Sequence, residues 1–337
     1  MTWPHDVSLP SLQRISDAHA FLALEHSTPQ AISDWQTKRK AELRDWLITY
    51  SPWWSDRLSK AGSAIPWTEI PQLSRAELRK MVADHGVVAM PSHHGTPITR
   101  GFGVAQSEGI GFYTSNFQQR IALHAFYADH HRQGRNPFAR QACISDEVPP
   151  HSGTQTEMKA NLETGCGEQL FRRGELFSDA QHIEWLTKVK PKYLTVDSKW
   201  LDVILARARS SRAGLPEIQQ ILTHGTEPSR EARTQARQLF GAVLKYRYTL
   251  PECGPLGFQC PRDDEFLHVA VANVAVEVVN NDTQPLTGNQ GRVLVTALHQ
   301  YATPIVRYDV GNYAVLHTHC PGCGLAISTL SNLKQSI

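Results

Sequence analysis

Across residues 32–50 the apolar side chains Ile32, Trp35, Trp46, Leu47 and Tyr50 stand out from a polar background at helical spacing. The pattern predicts an amphipathic helix with those five positions turned inward. Ser51-Pro52 ends it, because a residue before proline avoids the helical region. Ser74 with Glu77 three residues later has the spacing of a capping box and predicts a second helix start. Residues 92–115 are rich in Gly, Ser and Thr and read as loop with strands at its edges, followed by a histidine-bearing helix over 116–133. From 182 to 210 the pattern changes from helix to a short strand (Tyr193, Leu194, Thr195, Val196) and back to helix. Strands over 218–223 and 243–248 then flank a polar-faced helix over 229–240. This alternation predicts an α/β layer with a largely parallel sheet. Beyond Pro255 the runs 269–280 and 291–297 are β-rich and separated by the turn signal Asn280-Asn281-Asp282, so the last third is expected to be mostly antiparallel. The expected division is residues 1–255, α/β, and 256–337, β-rich.

Composition narrows the function classes. The 337 residues suffice for a sizeable core, and a formal charge of +2 with scattered basic residues gives no electrostatic footprint for nucleic acid. Residues 1–6 lack a basic region followed by an apolar run, and no stretch approaches a membrane span, so a cytoplasmic protein is expected. In that compartment the six cysteines are metal ligands, reactive thiols or core residues rather than disulfides. Cys320-Pro321-Gly322-Cys323 on its own reads as a zinc half-site, a redox pair or a turn; Cys143 and Cys166 have no paired context. His93, His94, His124, His130 and His131 are read as surface or satisfied core side chains.

Three segments in order carry a resemblance: Leu222-Thr223-His224-Gly225-Thr226-Glu227-Pro228, then Tyr248-Thr249-Leu250-Pro251-Glu252-Cys253-Gly254, then Pro304-Ile305-Val306-Arg307-Tyr308-Asp309-Val310-Gly311-Asn312. Together they resemble the large domain of the phenylacetate–CoA ligase-like members of the adenylate-forming superfamily. The resemblance implies an ANL-type large domain, with α/β adenylate-binding subdomains and a β-rich subdomain, and with the small C-terminal domain absent. In such enzymes a carboxylate attacks the α-phosphate of ATP to give acyl-AMP, so charge on phosphate oxygens must be stabilised. The resemblance assigns Glu252 to the magnesium ion, Arg307 to the phosphates or ribose, and Gly225, Thr226, Glu227 and Pro228 to the edge of adenine. Tyr248 and Thr249 fall beside adenine or the acyl group, and Asn312 at the ribose. The bland alternative is a structural, salt-bridged role for Glu252 and Arg307; Glu277 and Asp309 read as surface and strand-end polar residues.

Two departures stand out. Where the family has a hydroxyl-rich phosphate loop, this chain has residues 103–111 with Glu108, a negative charge where triphosphate would lie. Asn312 replaces the ribose-binding aspartate and loses its charge-assisted bonds, a cost of about 1–2 kcal/mol. Nothing around Lys334 matches the family's catalytic lysine.

Several phenylacetate–CoA ligase-like proteins hold a structural zinc with a Cys, His and Cys pair set, and the matching residues are Cys260, His268, Cys320 and Cys323, with His317, His319 and Cys253 as substitutes. The expected cofactors are therefore ATP or AMP with Mg²⁺ and a structural Zn²⁺. The expected activity is conversion of a small aryl or short acyl carboxylic acid to acyl-AMP, with CoA, a carrier protein or a partner subunit as acceptor or helper and a homodimer as the assembly. The alternatives are an acyltransferase or hydrolase using an acyl-adenylate or thioester made elsewhere, and a noncatalytic subunit.

Overall fold

The computed structural model describes residues 9–61, 65–102, 110–146, 155–158, 167–211 and 214–335. The altered phosphate loop over 103–109 and Cys166 lie outside the described residues. The helices are α1 (Leu9–Glu25), α2 (Pro29–Tyr50), α3 (Pro52–Ala61), α4 (Arg75–His85), α5 (Asn116–Arg132), α6 (Asp179–Val189), α7 (Ser198–Ser210) and α8 (Arg230–Phe240). The strands are β1 (Pro97–Phe102), β2 (Ile110–Ser115), β3 (Gln141–Ser145), β4 (Gln155–Met158), β5 (Gln169–Arg173), β6 (Tyr193–Asp197), β7 (Gln220–His224) and β8 (Val243–Leu250), followed by β9 (Gly254–Gln259), β10 (Phe266–Val269), β11 (Val274–Val279), β12 (Gln290–Ala297), β13 (Tyr308–His317) and β14 (Thr329–Gln335). By contacts the chain forms two units, Met1–Ala18 with Phe126–Tyr248, and His19–Ala125 with Thr249–Ile337. This cut differs from the one at 255/256: residues 19–125 group with the β-rich end of the chain rather than with the α/β stretch.

In the first unit the strands run in the order β8-β7-β6-β3-β5-β4, parallel except for β4 against β5. Ala142, Ile144, Leu194, Val196, Ile221 and Leu244 from the strands pack with Ile183, Leu186, Leu201, Ile204, Leu205, Ala236 and Phe240 from α6, α7 and α8. Helix-covered parallel strands are buried end to end, which is why they read as continuous apolar runs. Local signals set the helix ends. Ser178 and Gln181 form a capping box on α6, the Ser229 side chain accepts from Ala232 N at α8, and Gly241 stops α8 at φ +68°.

The second unit holds six strands in the order β11-β12-β13-β14-β10-β9, every pair antiparallel, together with the β1–β2 hairpin. Helix α4 opens with the expected box: Ser74 accepts from Glu77 N while Glu77 accepts from Ser74 N. Its approach segment is stitched to β13, since Leu73 N donates to Arg307 O and Asp309 N to Leu73 O, both at 3.0 Å. Helix α2 buries Ile32, Leu43 and Leu47. Trp35 and Trp46 are only half-buried and Tyr50 is 47% exposed, stacked on Trp46 at 4.3 Å. The expected inward stripe is thus corrected: Leu43 belongs to it, and Tyr50, although eighteen residues and so five turns from Ile32, is the last residue of the helix and stays exposed beside Trp46.

Candidate functional site

The residues singled out by the three motifs divide between the units. In the first unit, β7 ends at His224 and the chain turns through Gly225 at φ +95°. A Cβ there would stand 2.8 Å from Ser198 Oγ, so glycine is required by both angle and space. Ser198, the first residue of α7, accepts from Thr226 N at 3.1 Å, and the Tyr246 hydroxyl donates to Gly225 O at 2.9 Å. Glu227 is pushed above the usual carboxylate range by burial, only partly offset by Arg233 at 3.9 Å. Pro228 follows, just before the Ser229 cap. Tyr248 is buried on β8. The segment Gly225 to Pro228 is therefore a fixed, backbone-rich turn at the C-terminal end of a parallel strand, where open α/β sheets bind ligands.

In the second unit, Glu252 sits in the turn that follows Thr249 and Leu250 and is 4% exposed. The Tyr308 hydroxyl donates to its carboxylate, with the Arg75 charge near; burial nevertheless dominates and raises its pKa. One carboxylate oxygen, Oε2, is buried without a hydrogen-bond partner among the described residues. An anionic oxygen in that position requires a proton or a cation. Its neighbour Cys253 is buried and its thiol pushed well up.

Arg307 is 1% exposed and φ is +46°. Its N donates to Thr296 Oγ1, its Nε bonds Glu277 at 3.1 Å, and its Nη1 donates to Ile70 O at 2.5 Å. The guanidinium thus ties β11 to the segment that leads into α4. Glu277 is consequently not a surface residue but the half-buried partner of Arg307. Asp309 pairs with Arg292 at 2.6 Å and accepts from Gly311 N. Asn312, 7% exposed on β13, donates through Nδ2 to Lys334 O at 3.4 Å. It lines a hollow of about 270 Å³ with Ser74, Arg75, Arg292, Asp309, Gly311 and Tyr313. A larger hollow of about 420 Å³ lies between α6 and α7 and is lined by none of the motif residues.

Cys260, His268, Cys320 and Cys323 come together, with their ligand atoms all within 4.8 Å of one another. Hairpin β9–β10 places Cys260 and His268, because Cys260 N donates to Phe266 O and His268 stands opposite Phe258. The 320–323 turn is closed by Gly324 N donating to Cys320 O and Cys320 N to Leu325 O, both at 2.8 Å, and Gly324 has φ +77°. Three thiols and an imidazole converging from two segments match the ligand set of a structural zinc centre. His317 instead bonds Ser331 Oγ. The other histidines lie in packed surroundings: His94 against Phe117 and Tyr301, His124 against Phe21, and His130 against Tyr193.

Some parts of the site lay outside the sequence reading. Asp197 and Ser198 of the β6–α7 junction gave no motif, and Arg75 and Arg292 were plain surface charges until the strands brought them beside Glu252 and Asp309.

No protein-family model matches the chain, and no curated protein matches it in sequence. Solved structures do. 2-Hydroxyisobutyryl-CoA ligase in its postadenylation state with 2-HIB-AMP superposes at TM-score 0.73 and 13% identity, over 91% of this chain and 67% of that one. The same enzyme in an open conformation with 2-HIB-AMP and CoA gives 0.71 and 14%, over 91% and 69%. VinN gives 0.52 and 13%, over 76% and 66%. No helix among the described residues is long and apolar enough to cross a membrane. At such identities the likeness is one of fold, and this chain shares the fold of the matched two thirds of 2-hydroxyisobutyryl-CoA ligase.

Proposed function

We propose that this protein handles an acyl-adenylate: it activates a small aryl or short acyl carboxylic acid as acyl-AMP, with a thiol such as that of CoA as the eventual acceptor. The observation that carries this reading is Glu252. It is a buried carboxylate with one oxygen unpartnered, anchored by Tyr308, in the motif position that the resemblance gives to the magnesium ligand. A magnesium ion held there would neutralise charge on phosphate oxygens. The chain's own residues do the rest. The Gly225 to Pro228 turn offers a rigid backbone edge to a planar base. Asn312 offers an amide to a ribose hydroxyl from the hollow it shares with Arg75 and Arg292. Arg307 acts as a positioning residue, fixing the segment before α4 through Glu277 and Ile70. Cys260, His268, Cys320 and Cys323 hold a zinc ion that stabilises the β-rich region and takes no part in the reaction.

A second reading has its own support. Glu108 and the loss of loop hydroxyls over 103–111 disfavour a triphosphate, and this suits an enzyme that receives an activated acyl group made elsewhere, by a carrier protein or partner subunit. Calorimetric titration decides. Binding of MgATP, lost in Glu252→Gln, together with acid-dependent pyrophosphate exchange supports activation. Binding of AMP or an acyl-adenylate without ATP binding selects transfer, and binding of none of these sinks both.

A further inference from the structure

The C-terminal ends of three adjacent parallel strands in the first unit carry Ser145 on β3, Asp197 on β6 and His224 on β7. Asp197 and His224 are direct register partners. Asp197 Oδ2 accepts from Ser145 Oγ at 3.0 Å and from Asp146 N at 3.2 Å, while its Oδ1 stands 3.1 Å from His224 Nε2. The carboxylate is thus fixed by two donors on Oδ2, and Oδ1 lies beside the imidazole at ion-pair distance with no hydrogen bond closed to it. Asp146 is itself tied down by Lys199, by Trp200 Nε1 at 3.1 Å and by Glu175 N at 3.0 Å. On the far side of His224, the Gly225 turn is locked by Ser198 and Tyr246. The histidine side chain keeps 34% of its surface exposed although the residues that hold it do not move freely. The carboxylate beside Nε2 favours the tautomer with the proton on that nitrogen, which leaves Nδ1 as the ring's lone-pair nitrogen.

We propose that His224, oriented by Asp197, is the general base that deprotonates a thiol acceptor as it attacks an acyl-adenylate at the C-terminal ends of these strands. The proposal rests on the acyl-adenylate reading above. The thiol proton passes to Nδ1, the sulfur–carbon bond forms, and the bond between the acyl carbon and the phosphate oxygen breaks, so that AMP leaves with that oxygen. The imidazolium so formed is stabilised by Asp197 and returns its proton to solvent. An ion pair that merely closes the sheet end would need neither an exposed ring nor a carboxylate braced by two other donors. Structurally the arrangement has the base-and-orienter logic of known nucleophile-activating pairs.

The test uses the full chain, synthetic benzoyl- and isobutyryl-adenylate, and CoA, with thioester formation and AMP release followed by chromatography and acyl-adenylate Kd by calorimetry. His224→Gln is expected to slow thioester formation by about 10²-fold or more while leaving Kd unchanged, and to remove the acid limb of the wild-type pH–rate profile. Asp197→Asn, which preserves shape, is expected to give a smaller loss and to displace that limb. Transfer by His224→Gln at the wild-type rate would overturn the assignment, as would loss of acyl-adenylate binding at an unchanged maximal rate. A wild-type protein that neither binds nor consumes either adenylate removes the functional reading itself, an outcome visible before any variant is made.

Discussion

Arg307 shows how one side chain can join distant segments of a chain. Its side chain is 2% exposed and meets a Glu277 carboxylate whose own affinity for protons is raised by burial, with the Lys40 charge also acting on it. A buried pair is weak evidence for stability in itself, but a buried charge left alone is costly. Arg307→Met is therefore expected to lower unfolding free energy by about 3 kcal/mol, toward the low end of the range because Lys40 compensates in part. Urea denaturation checks this. In the double variant Arg307→Met/Glu277→Leu most of the loss should return, and its persistence would place the cost in the lost bond to Ile70 O instead. The magnitude matters for function because the same guanidinium holds Ile70, and so the approach to α4, whose first residues Ser74 and Arg75 border the hollow at Asn312.

At the level of elements, caps and turns carry much of the specification. The Ser74–Glu77 box satisfies donors at the start of α4 that the helix cannot satisfy itself. Ser74→Ala is expected to cost about 1 kcal/mol in chemical denaturation, and an unchanged midpoint would show that the stitch from Leu73 to β13 alone sets this helix. The β9–β10 hairpin and the 320–323 turn are short elements that bring the side chains of Cys260, His268, Cys320 and Cys323 together. The protein is expected to carry one zinc per chain by atomic emission. Strong chelation should lower the melting temperature by roughly 5 °C or more, and a metal-free sample that melts identically would refute the assignment.

For the molecule as a whole, the buried histidines set how it responds to acid. Burial, with the charges of His93, His299 and Arg120, holds His94 down at about 4, and burial with Arg39 and His93 does the same for His299. Both start from 6.5 when unfolded, so between these values the unfolded chain binds more protons than the folded one. Stability from these two groups is complete above pH 6.5 and is expected to fall as pH drops toward 4. Urea midpoints measured stepwise from pH 7 to 4.5 check this, and His94→Phe, which keeps the ring contacts with Phe117 and Tyr301, should flatten the decline. Glu252 and Glu277, raised by burial, act with the opposite sign, so a flat profile in the wild type would mean that the carboxylates cancel the histidines, and stability rising toward acid that they outweigh them. The sequence by itself determined the start of α4 at Ser74, the alternation of strands and helices from 182 to 248 and the β-rich character beyond 255, because these follow from local dihedral preference and periodicity; the grouping of Cys260, His268, Cys320 and Cys323 came from the family resemblance. Only the tertiary structure decided that Glu277 lies half-buried against Arg307, that Leu43 is buried and Tyr50 exposed, that residues 19–125 group with the C-terminal strands, and that Asp197 stands beside His224. Each of those depends on which strands become neighbours, and no local pattern encodes a contact between residues tens to hundreds of positions apart.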